Sequence, residues 1–242
     1  MKKQLFIITL LITIKTYSQN NAIIVTYNQA INNSKITKSN KPKILKDIEY
    51  ILKCSKNVSH FEYIEKMSSE ANRANKTFVR KAGAVGVYYK NLKTKEKYKS
   101  INNFGKSILI TEKIDKTKWV LTKETKKIDK YLCYKAFYNF TSPLAEGYSI
   151  KITAWYSPEI SFPFGPIGYD GLPGLILELS YLDNIFIAKS INFKKEVNIT
   201  KPEGEKMTQK ELRLFFQKKT GIDIKKQIEQ KAKNSTNTKK EF

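Results

Sequence analysis

The sequence predicts a mainly β protein: a single strongly curved or barrel-like antiparallel sheet, in meander order, with a C-terminal helix. Three observations carry that expectation. Short β-branched or aromatic segments recur from residue 22 to residue 193, separated by clusters of Asn, Lys and Ser. The segment Tyr148 to Tyr156 alternates, with Ile150, Ile152, Ala154 and Tyr156 on one face and Ser149, Lys151, Thr153 and Trp155 on the other. Near the end, Thr208 stands three residues before Glu211, the spacing of a capping box, and Leu212, Phe215 and Phe216 follow at helical intervals. With about ten strands and no regular helix between them, uncovered edges and one-sided apolar faces favour strong curvature.

Taken in order, residues 1–18 have the layout of a secretory signal peptide. Lys2 and Lys3 precede an apolar run from Leu5 to Ile14, and Thr16 and Ser18 supply the small residues before cleavage. That run is shorter than the roughly 20 residues a spanning helix needs, so the mature chain has no predicted transmembrane segment. Strands are expected around Ala22 to Tyr27, Ile48 to Cys54, Val58 to Ile64, Val85 to Tyr89, Lys97 to Ile101, Ser107 to Glu112, Lys118 to Thr122, Tyr131 to Phe140 and Tyr148 to Tyr156. Residues 65–82 favour a short helical excursion. After a long loop, Gly174 to Leu182 and Ile185 to Phe193 form a hairpin around Asp183 and Asn184, whose residue types tolerate positive φ. The β domain therefore spans 19–207, an amphipathic helix with Gly221 as its break or stop spans 208–233, and a polar tail spans 234–242.

Composition narrows the chemistry. The formal net charge is +23, and removal of Lys2, Lys3 and Lys15 with the leader would make it 23 − 3 = +20. Yet among 45 basic residues only Arg73, Arg80 and Arg213 are arginine. Base readout and bidentate phosphate contacts favour arginine, so no nucleic-acid partner is expected. Tyr88, Tyr89, Lys90, Lys93, Lys95, Lys97, Tyr98 and Lys99 are read as a strand-turn-strand with a solvated lysine face. His60, the single histidine, is read as structural, which leaves no metal site and no His-paired nucleophile. Glycine-rich phosphate loops are absent and no cofactor is expected. Cys54 and Cys133 form either one disulfide in an oxidising compartment or two separate buried thiols.

One loop is unlike the rest. Between Ser157 and Gly174 lie Pro158, Pro163, Pro166 and Pro173 with Gly165, Gly168, Gly171 and Gly174. Such a long, rigid connection is normally functional. Trp155, Tyr156, Phe162, Phe164 and Tyr169 are the candidate ligand-binding residues, as a stacking platform, with packing of the loop onto the sheet as the competing role. Gly171, Leu172, Pro173, Gly174, Leu175 and Ile176 are read as a structural latch that turns the loop into the next strand. Glu159, Asp170 and Glu178 are the carboxylates available for acid and base work on a glycoside.

The string Gly171 to Ile176 resembles the motif of the GLPGLI family of exported Bacteroidota proteins. Ala154 to Ile160 with Gly165 and Pro166 resembles that family's companion motif, and Cys133 to Ala136 after Trp119 and Leu121 its upstream pattern. The resemblance covers roughly residues 22 to 193 and implies an exported β-rich protein without assigned catalytic residues. Its relatives are often encoded beside TonB-dependent outer-membrane receptors, and a related domain begins a class of peptide:N-glycosidases. The expected role is a non-enzymatic binding or accessory protein of the cell envelope. Its expected partners are an outer-membrane receptor or an envelope glycan or lipid. The alternative is a glycan- or peptide-directed hydrolase using carboxylates near the motif loop.

Overall fold

The computed structural model describes residues 21–32, 42–65, 71–112, 117–141 and 148–223. The expected leader at 1–18, the second half of the expected C-terminal helix and the polar tail lie outside the described residues.

Among the described residues twelve strands form one sheet: β1 (Ala22–Ile31), β2 (Lys43–Ser55), β3 (Val58–Tyr63), β4 (Val87–Asn91), β5 (Glu96–Asn103), β6 (Lys106–Thr111), β7 (Val120–Ile128), β8 (Tyr131–Thr141), β9 (Ser149–Ser157), β10 (Leu175–Tyr181), β11 (Asn184–Lys194) and β12 (Glu205–Met207). The order is β12-β6-β5-β4-β3-β2-β1-β11-β10-β9-β8-β7. It consists of two meanders, β1 to β6 and β7 to β11, joined by antiparallel pairing of β1 with β11. Pairing is antiparallel throughout except for the short parallel contact of β12 with β6.

Chain length forces this sheet to curl. β6 and β7 lie ten positions apart in the strand order, about 48 Å on a flat sheet. Only nine Cα steps separate Thr111 from Val120, a reach of about 32 Å at full extension. Ring contacts give the same result in the core. Phe61 of β3 and Phe186 of β11 lie three strand spacings apart, yet their centroids are 6.1 Å from each other. The concave face closes over Ile23, Val25 and Tyr27 of β1, Tyr50 and Leu52 of β2, and Ile152 and Ala154 of β9, all fully buried. β7 pairs only with β8 among the described residues, so the curl has an open seam.

Three polar side chains inside this core satisfy one another. The Tyr50 hydroxyl donates to Gln29 Oε1 at 2.6 Å, and Gln29 Nε2 donates to Asn184 Oδ1 at 2.8 Å. That network shifts the last hairpin by one residue from the expected turn. Asn184 is drawn into β11 opposite Tyr181, and the connection becomes Leu182 and Asp183, with Leu182 at φ 53°. Pairing the buried Asn184 amide outweighs the cost of an apolar residue in a left-handed turn position.

Helix α1 (Ala71–Lys81) falls within the expected excursion and seats Val79 in the main core. Helix α2 (Gln209–Thr220) starts with the reciprocal capping box: Glu211 N–H donates to the Thr208 hydroxyl, and Thr208 N–H donates to the Glu211 carboxylate. Gly221, at φ 69°, ends it. Leu212 packs with Met207 of β12 and Ile108 and Ile110 of β6 in a second, smaller core.

Cys54 and Cys133 are separate, fully buried thiols. Burial pushes both upward, Cys133 to about 11 despite the opposing effects of a backbone hydrogen bond and Lys126. The thiolate is the reactive form, so thiol titration at pH 8 should find two groups per chain after denaturation without reductant and almost none before. A denatured, unreduced chain without free thiols would establish a disulfide instead.

Candidate ligand groove

The curl leaves a groove of about 1230 Å³ on its concave side, larger than the roughly 300–1,000 Å³ of ordinary small-molecule pockets. β4 contributes Tyr88, β5 Lys97 and Lys99, the end of β6 Thr111 and Glu112, β8 Tyr138 and Phe140, and β10 Tyr181. The loop between β9 and β10 adds Ile167, Gly168 and Tyr169, and the start of α2 adds Lys210 and Arg213. Strand alternation explains the β5 pair: Lys97 and Lys99 are two residues apart and share a face.

Register places Lys99 opposite Tyr88, and its Nζ lies 4.7 Å from the Tyr88 ring centre while donating 2.9 Å to the Gly83 carbonyl. The Tyr88 hydroxyl donates to the same carbonyl. Burial lowers the Lys99 pKa, partly offset by Glu112. Lys97 Nζ meets Glu112 Oε2 at 3.0 Å. Burial raises the phenol pKa of Tyr88, Tyr169 and Tyr181, so these hydroxyls remain protonated donors. Among the described residues the lining therefore presents four cations, one carboxylate, and aromatic faces from Tyr88, Tyr138, Phe140, Tyr169 and Tyr181.

Of the five aromatics expected to bind ligand, only Tyr169 lines this groove, where its ring stands 6.0 Å from Trp119 and 6.5 Å from Tyr181. Tyr156, Phe162 and Phe164 are buried in the core. Trp155 is half-buried on the opposite sheet face, with Lys126 Nζ 4.5 Å and Lys135 Nζ 5.9 Å from its ring. The aromatic loop thus mainly packs onto the sheet, because its backbone is hydrogen-bonded inward: Leu175 N–H donates to Ile160 O and Ile176 N–H to Phe164 O, both at 3.0 Å.

The carboxylates near the motif are engaged elsewhere. Asp170 is buried against Lys90, at 2.5 Å, and its carbonyl accepts the Trp119 indole N–H at 2.8 Å. Glu178 pairs with Lys126 at 2.7 Å, and Glu159 accepts the Leu132 N–H at 3.2 Å. None of the three lines the groove. His60 Nε2 sits 3.1 Å from Glu62 Oε1 on β3. Among the described residues no three His, Cys, Asp or Glu side chains gather as a metal-binding group.

The motif residues form a tight crossing. Leu172, Leu175 and Ile176 are buried, and the Tyr27 hydroxyl donates to Ile176 O at 2.6 Å. Gly174 has φ 147°, and a β-carbon there would lie 2.1 Å from Ser157 O.

The expected strand-turn-strand forms, with Lys93 and Lys95 exposed at its turn, but the rest of its lysine face is not solvated. Lys90 is 4% exposed, Lys99 faces the groove, and Tyr89 and Tyr98 stack at 6.4 Å in a small separate core with Leu109. The curl brings these strands over the loop, which composition alone does not reveal. Lys210 and Arg213 were also missed as site residues; the only sequence signal was their place on the first turns of a well-capped helix.

These features define a curled-sheet β protein with an open, basic, tyrosine-lined groove. A family model described as "Protein of unknown function (Porph_ging)" matches residues 139–178, from the end of β8 through the motif into β10. Two crystal forms of PNGF-II share the fold. The C2 form gives a TM-score of 0.54 at 16% identity, covering 78% of this chain and 31% of that one. The P21 form also gives 0.54, at 15% identity, covering 82% and 32%. This chain thus spans about a third of the PNGF-II chains it matches. No curated protein matches.

Proposed function

We propose that this is an exported cell-envelope binding protein, accessory rather than catalytic, that takes an anionic, ring-bearing ligand such as an acidic glycan in the groove. The observation that carries the reading is the lining: among the described residues, Lys97, Lys99, Lys210 and Arg213 stand against one carboxylate, Glu112, with tyrosine rings between them. Tyrosine faces stack on sugar rings while their hydroxyls donate hydrogen bonds, and the cations select negative charge. The apolar leader supports export, and the resemblance of Gly171 to Ile176 to GLPGLI proteins supports service to an outer-membrane receptor system. A hydrolase working through Glu159, Asp170 or Glu178 is the less supported reading, because each is held by a partner outside the groove.

Calorimetric titration with a uronic-acid oligosaccharide and its neutral counterpart tests the proposal. The acidic sugar should bind at least tenfold tighter, and Lys99→Met should remove most of that preference, on the order expected for one buried charge-assisted contact. Because burial lowers the Lys99 pKa, its charge is present at lower pH and lost as pH rises through its depressed value. The preference should therefore fade at a lower pH than an ordinary lysine would give. Equal affinity for both sugars, or their cleavage, would overturn the reading.

A further inference from the structure

The two meanders contribute differently to the groove. Every lining cation among the described residues comes from the first meander or from α2: Lys97 and Lys99 on β5, Lys210 and Arg213 on the first turns of the helix. The second meander and its loop supply Tyr138, Tyr169 and Tyr181 instead. Those three rings belong to one chain of contacts, in which Trp119 stands 6.2 Å from Tyr138 and 6.0 Å from Tyr169, and Tyr169 stands 6.5 Å from Tyr181. An aromatic surface of that extent can face more than one sugar ring.

The cations are not equally committed. Lys97 Nζ is spent on Glu112 at 3.0 Å. Lys99 donates to the Gly83 carbonyl at 2.9 Å, and because an ammonium carries three N–H donors it keeps some for a ligand. Lys210 and Arg213 meet no acidic partner among the described residues. They stand three positions apart on α2 and so share a face. Leu212, Phe215 and Phe216 seat the helix on Ile108, Ile110 and the Phe104 ring, and this docking sets the pair at the border of the groove. Lys210 is exposed and Arg213 half-buried there, whereas Lys99 lies half-buried against the Tyr88 ring. Burial and Glu112 set the Lys99 pKa with no contribution from Lys210 or Arg213, which places the pair apart from it. The groove therefore offers two places for negative charge, one on the sheet and one on the helix.

We propose that the ligand of this groove is an oligosaccharide with acidic groups on at least two of its units, one met by Lys99 and another by Lys210 and Arg213, while its rings lie along Tyr138, Tyr169 and Tyr181. This rests on the groove being an acidic-glycan site, and it narrows the ligand to chains in which the acidic unit repeats. A sugar with one acid group uses Lys99 and leaves the helix pair without a partner; a second acid group farther along the chain supplies it. The two places differ in strength because they differ in exposure. Lys99, half-buried, accounts for most of the preference for acidic over neutral sugar, and the pair on α2 adds a smaller increment that salt screens.

The experiment is calorimetric titration of the full mature chain with three tetrasaccharides, carrying four uronates, one uronate and none. Affinity should rise in two steps, the four-uronate chain binding about fivefold tighter than the single-uronate chain at low salt. Lys210→Ala/Arg213→Ala should abolish that upper step while keeping the wild-type melting temperature, and raising the salt concentration should shrink it. Tyr181→Ala should weaken all three chains by a similar factor, since stacking on a ring takes no account of charge; a loss confined to the acidic chains would overturn the placement of the rings. An upper step that persists in the α2 variant would reflect only the greater number of ways in which four equivalent units can settle on Lys99, and would overturn the proposal. So would equal affinity of the wild-type protein for the single- and four-uronate chains. Both of those results leave the preference for acidic over neutral sugar standing, whereas equal binding of the neutral chain would remove the acidic-glycan site and the repeated-acid ligand together.

Discussion

Gly174→Val should cost about 3 kcal/mol or more of stability, combining backbone strain with an overlap that cannot relax. At φ 147° the backbone occupies a region that side-chain-bearing residues rarely adopt. A β-carbon would stand 2.1 Å from Ser157 O, 2.6 Å from Ser157 C and 2.9 Å from Pro158 Cα. These are main-chain atoms, and Ser157 is held in the ladder opposite Leu175, so the neighbour cannot swing aside as a flexible side chain would. Gly171→Ala supplies the internal comparison. That glycine also has positive φ, 85°, but nothing lies within 4 Å of its would-be β-carbon, leaving only the conformational cost of about 1 kcal/mol. Urea melts should separate the two by about 2 kcal/mol. Equal melting midpoints would show that the crossing is looser than described and that the motif is not a latch.

The strands were legible where one face is buried. Ile152, Ala154 and Tyr156 point inward on β9 as their alternation requires, and the Thr208–Glu211 pair located the start of α2 to the residue. β7 extends to Ile128, beyond the expected Thr122, because an edge strand exposed along most of its length carries lysines where a buried strand would carry apolar residues. β12 has three residues and owes its existence to pairing with β6, a tertiary event without local sequence pattern. The single-meander expectation also gave way to two meanders, since pairing of the first strand with the eleventh is a long-range contact. The groove was hidden for the same reason. Tyr88, Lys97 and Lys99 were visible as alternating residues, but only the curl decides that their face looks inward toward Tyr169 and Tyr181. Composition drew attention to the proline- and glycine-rich loop, whose rings mostly serve packing.

The second large effect is expected at the ion pair that joins the two meanders. Lys90, on β4, is 4% exposed, and Asp170, in the loop before β10, is 7% exposed; their charged atoms meet at 2.5 Å. Removing one partner strands the other charge in the interior, so Lys90→Met and Asp170→Asn should each destabilise the protein by about 3–5 kcal/mol. Lys90→Met/Asp170→Leu removes both charges and should recover much of that loss, because an apolar replacement avoids the desolvation of two ions. Recovery of stability need not bring recovery of binding. Asp170 follows Tyr169 directly, bridges to Phe164 and accepts the Trp119 indole N–H through its carbonyl, so the pair fixes the loop that presents Tyr169 to the groove. If that positioning matters, the double variant should melt near the wild type yet bind the acidic oligosaccharide more weakly. Single variants that melt within about 1 kcal/mol of wild type would mean that water reaches the pair. A double variant with full affinity would instead leave Tyr169 positioned by its ring contacts with Trp119 and Tyr181 alone.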